Sequence, residues 1–443
     1  VFSGDDAPEK RLDILDAYFN QFDRLDVDAE VKLQPRWNAP RQVSGTYAGT
    51  IDPDKRRDGM VSVNWMLDPP ENREETLSHG MLSYLLAGNS AAPLRKKLNE
   101  SGLGEGMIGG GISSYLRQPM GGFGLKGIDP ADSEKVEKLV LETLAELAET
   151  GFSAEQREAA INTFEFNLRE QNTGSYPRGM TYMFTALGGW LHGGDPLSPL
   201  VYEDALSALK EKAANGHFEK EIRRLFLDNP HRVTSRIEAD PEQGAREAKA
   251  EADKLAAVRA GLSESELAEV MERTERLRAL QESVDKPEDL ARIPTLTLDD
   301  LDRDIRTVPT AESTTAGVRT FSHDLPTLGI LYLDLGFDLH VLDKADLPYL
   351  PLFGRALLQT GTSTEDFVSL TQRIGRTTGG IAQHRGLASM QDGSGTAAWF
   401  FLSGKAVADK FDDTLGIMSD VLLDANLSNK DRFKQMALEE KAG

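Results

Sequence analysis

Two stretches of this chain carry the same order of predicted elements, and this repeat limits the available folds more than any other feature. The first stretch, Met60–Gly151, predicts a strand, two helices, a glycine-rich strand, a further strand and a long helix. Most of that order returns after Thr295, where ILYLDLG corresponds to the first strand and TAAWFFLSGKA to the last. A repeat at this separation indicates a duplicated domain, because solenoid repeats recur every 20–50 residues or so.

The repeated order also predicts the fold class and the role of the segment between the copies. Strands beside strands, with helices on one side, indicate an α+β fold with duplicated domains, each having an antiparallel sheet and helices packed on one face. The intervening segment, Asp240–Asp285, is rich in Ala, Glu, Lys and Arg and has a capping-box signature at Ser263 and Glu266. It is predicted to be a long helical hairpin that joins the two domains.

Composition excludes several classes of protein. The formal net charge of −22 over 443 residues disfavours nucleic-acid binding, and it is compatible with either attraction of basic ligands or simple solubility. The absence of cysteine excludes disulfides, thiol nucleophiles and cysteine metal sites. No apolar run reaches the ~18 residues of a membrane-spanning helix, so no membrane partner is expected. The chain starts without Met inside an apparent strand, and we expect it to be a piece of a longer polypeptide.

The G-x-G-x-x-G pattern occurs twice in the first repeat, at Gly104–Gly109 and at Gly122–Gly127. A dinucleotide fingerprint has to follow a strand and open a helix, so that the pyrophosphate meets the helix N-terminus. The first copy instead leads from a helix end into a strand, and the second lies within a strand. These glycines are therefore interpreted as a helix C-cap and strand bulges, and a nucleotide site is disfavoured.

A search for catalytic motifs finds no active site. No G-x-S-x-G elbow is present, and the many carboxylates cannot be paired from spacing alone. The sequence WLHGGDPL, Trp190–Leu197, is interpreted as a helix stop with a packed Trp. The histidines show no compact ligand spacing such as H-x-x-E-H, and each is interpreted as a surface or locally hydrogen-bonded side chain; they are His79, His192, His217, His231, His323, His340 and His384.

Several segments in a fixed order resemble one family. PLRKKLNESGLG, a Gly/Tyr-containing strand, GFGLKGI, WLHGGDPL, DNPHRVTSRIEAD and the charged hairpin resemble the second domain and linker of presequence proteases, which are zinc metallopeptidases of the insulinase and pitrilysin clan. The resemblance implies a monomeric peptidase of four homologous α+β domains. Two bowl-like halves, joined by the hairpin, would enclose a chamber for unfolded peptides.

The resemblance also implies where the chemistry lies. In the family, zinc is held in the first domain by an inverted H-x-x-E-H helix and a downstream Glu, and the last domain supplies an Arg and a Tyr to the substrate. None of these elements is in this chain, so no catalytic or metal residue is carried over. The implied domains are the tail of the catalytic domain (1–31), the second, non-catalytic domain (32–240), the hairpin linker (241–294) and a partial third domain (295–443).

Two hypotheses about function follow from the resemblance. The chain is either a non-catalytic segment of a zinc metalloendopeptidase that degrades unfolded, often basic, peptides, or a zinc-free scaffold or peptide-binding protein built from the same domains. Zinc is expected in the intact peptidase, with ligands outside this segment, and the segment alone is expected to bind no stoichiometric zinc and to cleave no peptide. The other expected partners are the missing first and fourth domains. The expected location is the cytoplasm in a bacterium or an organelle matrix in a eukaryote.

Within the segment, Tyr115 and Arg117 are the residues predicted to face a peptide. An aromatic ring and a guanidinium donor beside glycines suit contact with a peptide backbone, because glycine allows close approach. Ordinary strand residues remain the alternative interpretation of this pair.

Overall fold

A computed structural model describes residues 7–52, 56–113, 116–293, 295–301, 303–304, 307–327 and 329–442 of the chain. These residues form two compact units. The larger unit contains the chain up to Asp240 together with the chain after 328, and the smaller unit is Pro241–Thr327.

The first copy of the repeat lies in the larger unit and forms a mixed layer of helices and strands. Its described strands are β1 (Arg41–Ala48), β2 (Gly59–Met66), β3 (Gly106–Ser113), β4 (Met120–Ile128) and β5 (Arg232–Asp240). Its described helices are α1 (Pro8–Phe19), α2 (Arg73–Ala87), α3 (Pro93–Glu100), α4 (Ser133–Thr150), α5 (Ala154–Glu170), α6 (Arg178–Trp190), α7 (Glu203–Ala213) and α8 (His217–Ile222), which continues as a π-helix over Arg223–Leu227.

The smaller unit is described by itself. Its elements are α9 (Gln243–Gly261), α10 (Glu264–Glu282), α11 (Pro287–Leu290), β6 (Ala311–Thr315) and β7 (Val318–Ser322). The break between α9 and α10 confirms the predicted helical pair, and the capping box is present: the Glu266 N–H donates to Ser263 Oγ at 3.3 Å, and the Ser263 N–H donates to the Glu266 carboxylate at 2.8 Å. No described residue of α9 or α10 is buried.

The second copy follows in the larger unit with the predicted order of elements. Its strands are β8 (Ile330–Asp338), β9 (Ile381–Ser389) and β10 (Thr396–Val407), and its helices are α12 (Leu350–Gln359), α13 (Phe367–Thr377), α14 (Phe411–Leu423) and α15 (Lys430–Ala442). These strands pair antiparallel in the order β8-β10-β9, which repeats the order β2-β4-β3 of the first copy. The duplication that the sequence predicts is therefore confirmed by the topology.

The sheet of the first copy has the strand order β1-β5-β2-β4-β3. Its neighbours pair antiparallel, as predicted, apart from the parallel pair β1–β5 at one edge. Burial alternates along β2, where Val61, Val63 and Trp65 face the helices, because successive strand residues point to opposite faces. The sheet therefore has a core face and an opposite face.

An aromatic group on the core face holds the sheet to the helix layer. The Trp65 indole N–H donates to the Phe226 carbonyl at 2.8 Å, and the ring meets Phe226 and Phe123 edge to face. All three side chains are fully buried, which stabilises the fold by about 1.5–3 kcal/mol for each large apolar side chain. On α4 the predicted apolar stripe is also buried, including Val136, Val140 and Leu144.

The glycine-rich strand β3 contains the predicted bulge. The β3–β4 register shifts between Gly109 and Gly111, which have φ of +76° and +110°. Ser83 on α2 fixes the bulge, because its Oγ donates to the Gly110 carbonyl and accepts from the Ile112 N–H at 3.1 Å. The interpretation of these glycines as strand geometry is therefore confirmed, with Gly102 at φ +70° just after α3.

Two features differ from the sequence prediction. Helix α6 ends at Trp190 as predicted, but the prediction of a packed Trp is wrong, since 58% of this residue is exposed among the described residues. The β6–β7 hairpin was not predicted, because its strands are exposed throughout and show no apolar alternation. Its two-residue turn uses positive φ at Ala316 and Gly317.

The helices in the described part of the chain were also compared with the requirements for crossing a membrane. None of them combines the length and the apolar composition that such a crossing needs.

Candidate functional site

The sheet face opposite the core is lined by small and polar residues. We define this open face by Ser62, Asn64, Gly122, Gly124 and Ser235, which the strand register places side by side on β2, β4 and β5. The Asn64 amide donates to the Ser62 carbonyl and hydroxyl at 3.2 and 2.9 Å, which leaves its Oδ1 directed toward Gly122. A side chain at Gly122 would place its Cβ 2.8 Å from that oxygen, so the glycine keeps the backbone of β4 accessible.

The predicted peptide-facing pair lies after β3, and the structure describes one member of it. Tyr115 lies outside the described residues. The half-buried Arg117 donates to the Glu30 carboxylate at 3.0 Å and also to the Val31 carbonyl. Its guanidinium therefore holds the extended segment before β1 against the β3–β4 connection.

A cluster of titratable side chains lies in the helix layer, where the motif search found nothing. Glu75 and His79 are one turn apart on α2, and Glu221 comes from α8; their ligand-type atoms all lie within 4.8 Å of one another. His79 is 1% exposed, and neither of its ring nitrogens forms a hydrogen bond with the described residues. Its Nε2 lies 3.8 Å from the Glu75 carboxylate, beyond hydrogen-bonding distance.

The interpretation of every histidine as a surface or hydrogen-bonded side chain is therefore wrong for His79. The Glu75–His79 spacing of four residues on a predicted helix was the only sequence signal for the cluster. Glu221 is remote in sequence, so only the fold brings it to the other two. The nearby His217 does follow the prediction, since its Nε2 lies 2.7 Å from Ser78 Oγ.

Arg224 supplies the positive charge of the cluster. Its guanidinium donates to Glu75 at 2.6 Å and to both oxygens of Glu221 at 3.0 and 2.6 Å. The hydrogen bonds to Glu221 raise the pKa of Arg224 further above its ordinary value. Burial lowers the pKa of His79 and of His217, so both imidazoles are neutral at pH 7.

Burial alone would raise the pKa of the Glu75 carboxyl. The Glu71 N–H and the Arg224 guanidinium outweigh that effect and hold this pKa below its ordinary value. The cluster at neutral pH is thus two carboxylates, one guanidinium and a neutral imidazole.

The two copies of the repeat meet along one face of α5. The Asn162 amide donates to the Gly375 and Thr378 carbonyls at 2.8 and 3.0 Å. One turn further on, the Phe166 ring fills the space above Gly379, where a Cβ would lie 2.1 Å from the ring.

At the end of the same face, Glu170 joins the second sheet. It accepts from Lys405 at 2.6 Å and from the Tyr332 hydroxyl at 2.7 Å. Burial and the Glu170 carboxylate raise the pKa of Tyr332 to about 12. The contact between the copies is therefore an ordered combination of hydrogen bonds, ring packing and an ion pair.

Comparison with known proteins places these features in a family. Residues 1–164 match the family description "Peptidase M16 inactive domain", and residues 237–443 match the description of a domain associated with subfamily C of peptidase M16. The chain is 38% identical over 448 aligned residues to presequence protease 1, chloroplastic/mitochondrial, of Arabidopsis thaliana, covering 100% of this chain and 42% of that protein. It is 30% identical to protein HypA of Clostridium perfringens, covering 99% of this chain and 45% of that protein.

Among solved structures, pitrilysin matches with a TM-score of 0.41 and 13% identity, over 86% of this chain and 38% of that chain. The protease PqqL from Escherichia coli matches with a TM-score of 0.39 and 12% identity, over 95% of this chain and 44% of that chain. The chain spans less than half the length of the two curated relatives named above. The two family matches and the similarity along the whole chain show that it belongs to the peptidase M16 family and carries the inactive domain of that family.

Proposed function

We propose that the chain is the non-catalytic central segment of a zinc metalloendopeptidase that degrades unfolded peptides in an enclosed chamber. The observation that carries this proposal is the similarity to a presequence protease along all of this chain, together with the match of residues 1–164 to the inactive domain. Peptidases of this family are zinc-dependent. In the proposal, the catalytic zinc and its ligands lie in the part of the parent protein outside this chain.

The proposed role of the segment is to form part of the chamber wall. The open face suits an extended peptide, because Gly122 and Gly124 leave strand backbone accessible beside the Asn64 amide. Tyr115 and Arg117 are proposed to line the same chamber at the end of β3. A peptide carboxylate or carbonyl would compete with Glu30 and Val31 for the Arg117 guanidinium.

The proposed partners follow from charge and from the family. The net charge of −22 favours basic peptides over nucleic acid by long-range attraction. The first and fourth domains of a monomeric parent protein would complete the chamber, with the helical hairpin α9–α10 as the linker between its halves. The proposed location is the cytoplasm for a bacterial parent and the organelle matrix for a eukaryotic one.

A comparison of this chain with its parent protein tests the proposal. We expect the parent to cleave a fluorogenic unfolded basic peptide, and to stop when zinc is removed by a chelator. This chain alone should bind a labelled copy of the peptide, measured by fluorescence anisotropy, without cleaving it. Its affinity should fall as ionic strength rises, because screening weakens attraction between charges.

A matched pair of variants tests the chamber residues. Arg117→Ala should weaken peptide binding by this chain, and Arg169→Ala, which removes an exposed guanidinium on α5, should leave the affinity within about twofold. Chelator-sensitive cleavage by this chain alone would contradict the proposal. A parent that binds the peptide but never cleaves it, even with zinc added, would favour the zinc-free scaffold instead.

A further inference from the structure

We propose that Glu75, His79 and Glu221 form a site for Zn²⁺ or a divalent cation of similar chemistry, which exchanges with the guanidinium of Arg224. The inference does not depend on the proposed function, because it uses only the helix layer of the first copy.

The state of His79 is the first observation. Its imidazole is 1% exposed and makes no hydrogen bond with the described residues at either nitrogen. Buried polar groups are almost always paired, and an unpaired group in a folded protein often marks a missing ion or water. A metal bound at Nε2, the nitrogen that faces Glu75, would satisfy it.

The ligand set is the second observation. One imidazole and two carboxylates are ligands that Zn²⁺ accepts, and three protein ligands leave a fourth position for water. Glu75 and His79 present their ligand atoms to the same side of α2, while Glu221 closes the site from α8. The three atoms already lie within 4.8 Å of one another, so a small contraction of side chains would bring them around one ion.

Arg224 is the competitor that any metal has to displace. Its side chain is 47% exposed, whereas those of Glu75 and Glu221 are 20% and 12% exposed. The guanidinium can therefore turn into solvent while the two carboxylates stay in place. With Arg224 the cluster has two negative charges and one positive charge, and with a divalent cation it would be electrically neutral, which favours the metal in a buried setting.

This inference departs from the expectation that the segment alone binds no zinc. That expectation rested on the absence of a compact motif, and a site divided between α2 and α8 leaves no such motif in the sequence. Neither the family matches nor the relatives named above test the point.

Metal titration of the 443-residue chain, first stripped of metal, tests the site. Zn²⁺ should bind with a stoichiometry of one and raise the thermal midpoint, and Co²⁺ should give visible absorption bands of a four- or five-coordinate site. His79→Gln should weaken binding by about tenfold or more, since ligand loss costs at least as much as loss of a supporting residue. Arg224→Met should strengthen it by about tenfold or more, because the competing cation is gone.

His217→Gln is the matched control, since His217 is a neighbouring buried histidine outside the ligand set, and it should leave the affinity within about twofold. Glu221→Gln replaces His79→Gln as the ligand variant if the latter does not fold. No saturable binding by the wild-type chain would overturn the proposal, as would binding that only Arg224→Met shows, because Arg224 would then be a permanent occupant. Binding that survives both ligand variants would indicate adventitious surface sites and would also overturn it.

Discussion

At His79, burial determines which charge state the folded protein can hold. The groups that face this imidazole are Glu75 on its own helix and Glu221, Arg224 and His217 from the elements packed against it. Burial outweighs the two carboxylates and keeps the pKa of His79 below its ordinary value of 6.5. The unfolded chain therefore takes up a proton at this residue at a higher pH than the folded chain does.

We predict that the free energy of unfolding of metal-free protein decreases as the pH falls below about 6.5, because protons then bind the unfolded state preferentially. His217 contributes in the same direction, since burial lowers its pKa as well. Urea unfolding at pH of about 8 and about 5.5 would measure the change. His79→Gln should reduce the dependence, whereas equal slopes for the variant and the wild type would show that His79 is not responsible.

The same cluster shows how far the sequence predicts a site. Residues within one helix can be placed on a common face by their spacing, so Glu75 and His79 were predictable as neighbours. Glu221 and Arg224 were not, because their position depends on how α8 packs against α2. The predicted pair Tyr115 and Arg117 remains a prediction of peptide contact, and the contacts of Arg117 with Glu30 and Val31 were not foreseen.

At the scale of elements, the β3 bulge depends on two glycines with positive φ and one serine from a neighbouring helix. A Cβ on Gly111 would lie 1.7 Å from Ser83 Oγ, and its φ of +110° is strained for any other residue. Gly110 lies between these positions, but a Cβ there would meet nothing within 4 Å. The two glycines therefore offer a matched comparison within one strand.

We predict that Gly111→Ala lowers the free energy of unfolding by about 2–4 kcal/mol, from backbone strain together with the contact with Ser83. Gly110→Ala should change it by less than about 1 kcal/mol, because no clash arises. Chemical denaturation of the two variants beside the wild type would measure both values. Similar losses for both variants would mean that the bulge is not held in the way described.

Element boundaries agree well where one pattern dominates the sequence. Helix α2 begins and ends at the predicted residues, and β2 is displaced by one residue from the predicted Met60–Leu67. The parallel pairing of β1 with β5 was not predictable, since it joins strands far apart in the chain and each would satisfy an antiparallel neighbour equally well. The exposure of Trp190 was missed because an apolar helix end does not reveal what covers it.

At the scale of the larger unit, the α5 face determines whether the two copies of the repeat act as one body. Asn162, Phe166 and Glu170 are four residues apart on this helix, so they present one stripe to the second copy. Glu170 has a side chain that is 6% exposed, and its partner Lys405 is 25% exposed. Removing one member of such a pair leaves a buried charge without compensation, which costs more than the pair itself contributes.

We predict that Glu170→Gln destabilises the second copy by about 1–3 kcal/mol, less than a fully buried pair would cost because Lys405 keeps some access to solvent. Lys405→Met should do the same, and the double variant should lose less than the sum of the two single variants, because they share one contact. The control is Lys249→Met, which removes an exposed lysine from an ion pair in α9.

Hydrogen exchange followed by mass spectrometry distinguishes loosening at this contact from general unfolding. Exchange in either single variant should rise in β8, β10 and the C-terminal half of α5, while the core strands β2 and β4 of the first copy stay protected, because the Trp65 group does not depend on the contact. Additive losses in the double variant, or increased exchange spread evenly over both sheets, would show that Glu170 and Lys405 do not couple the two copies.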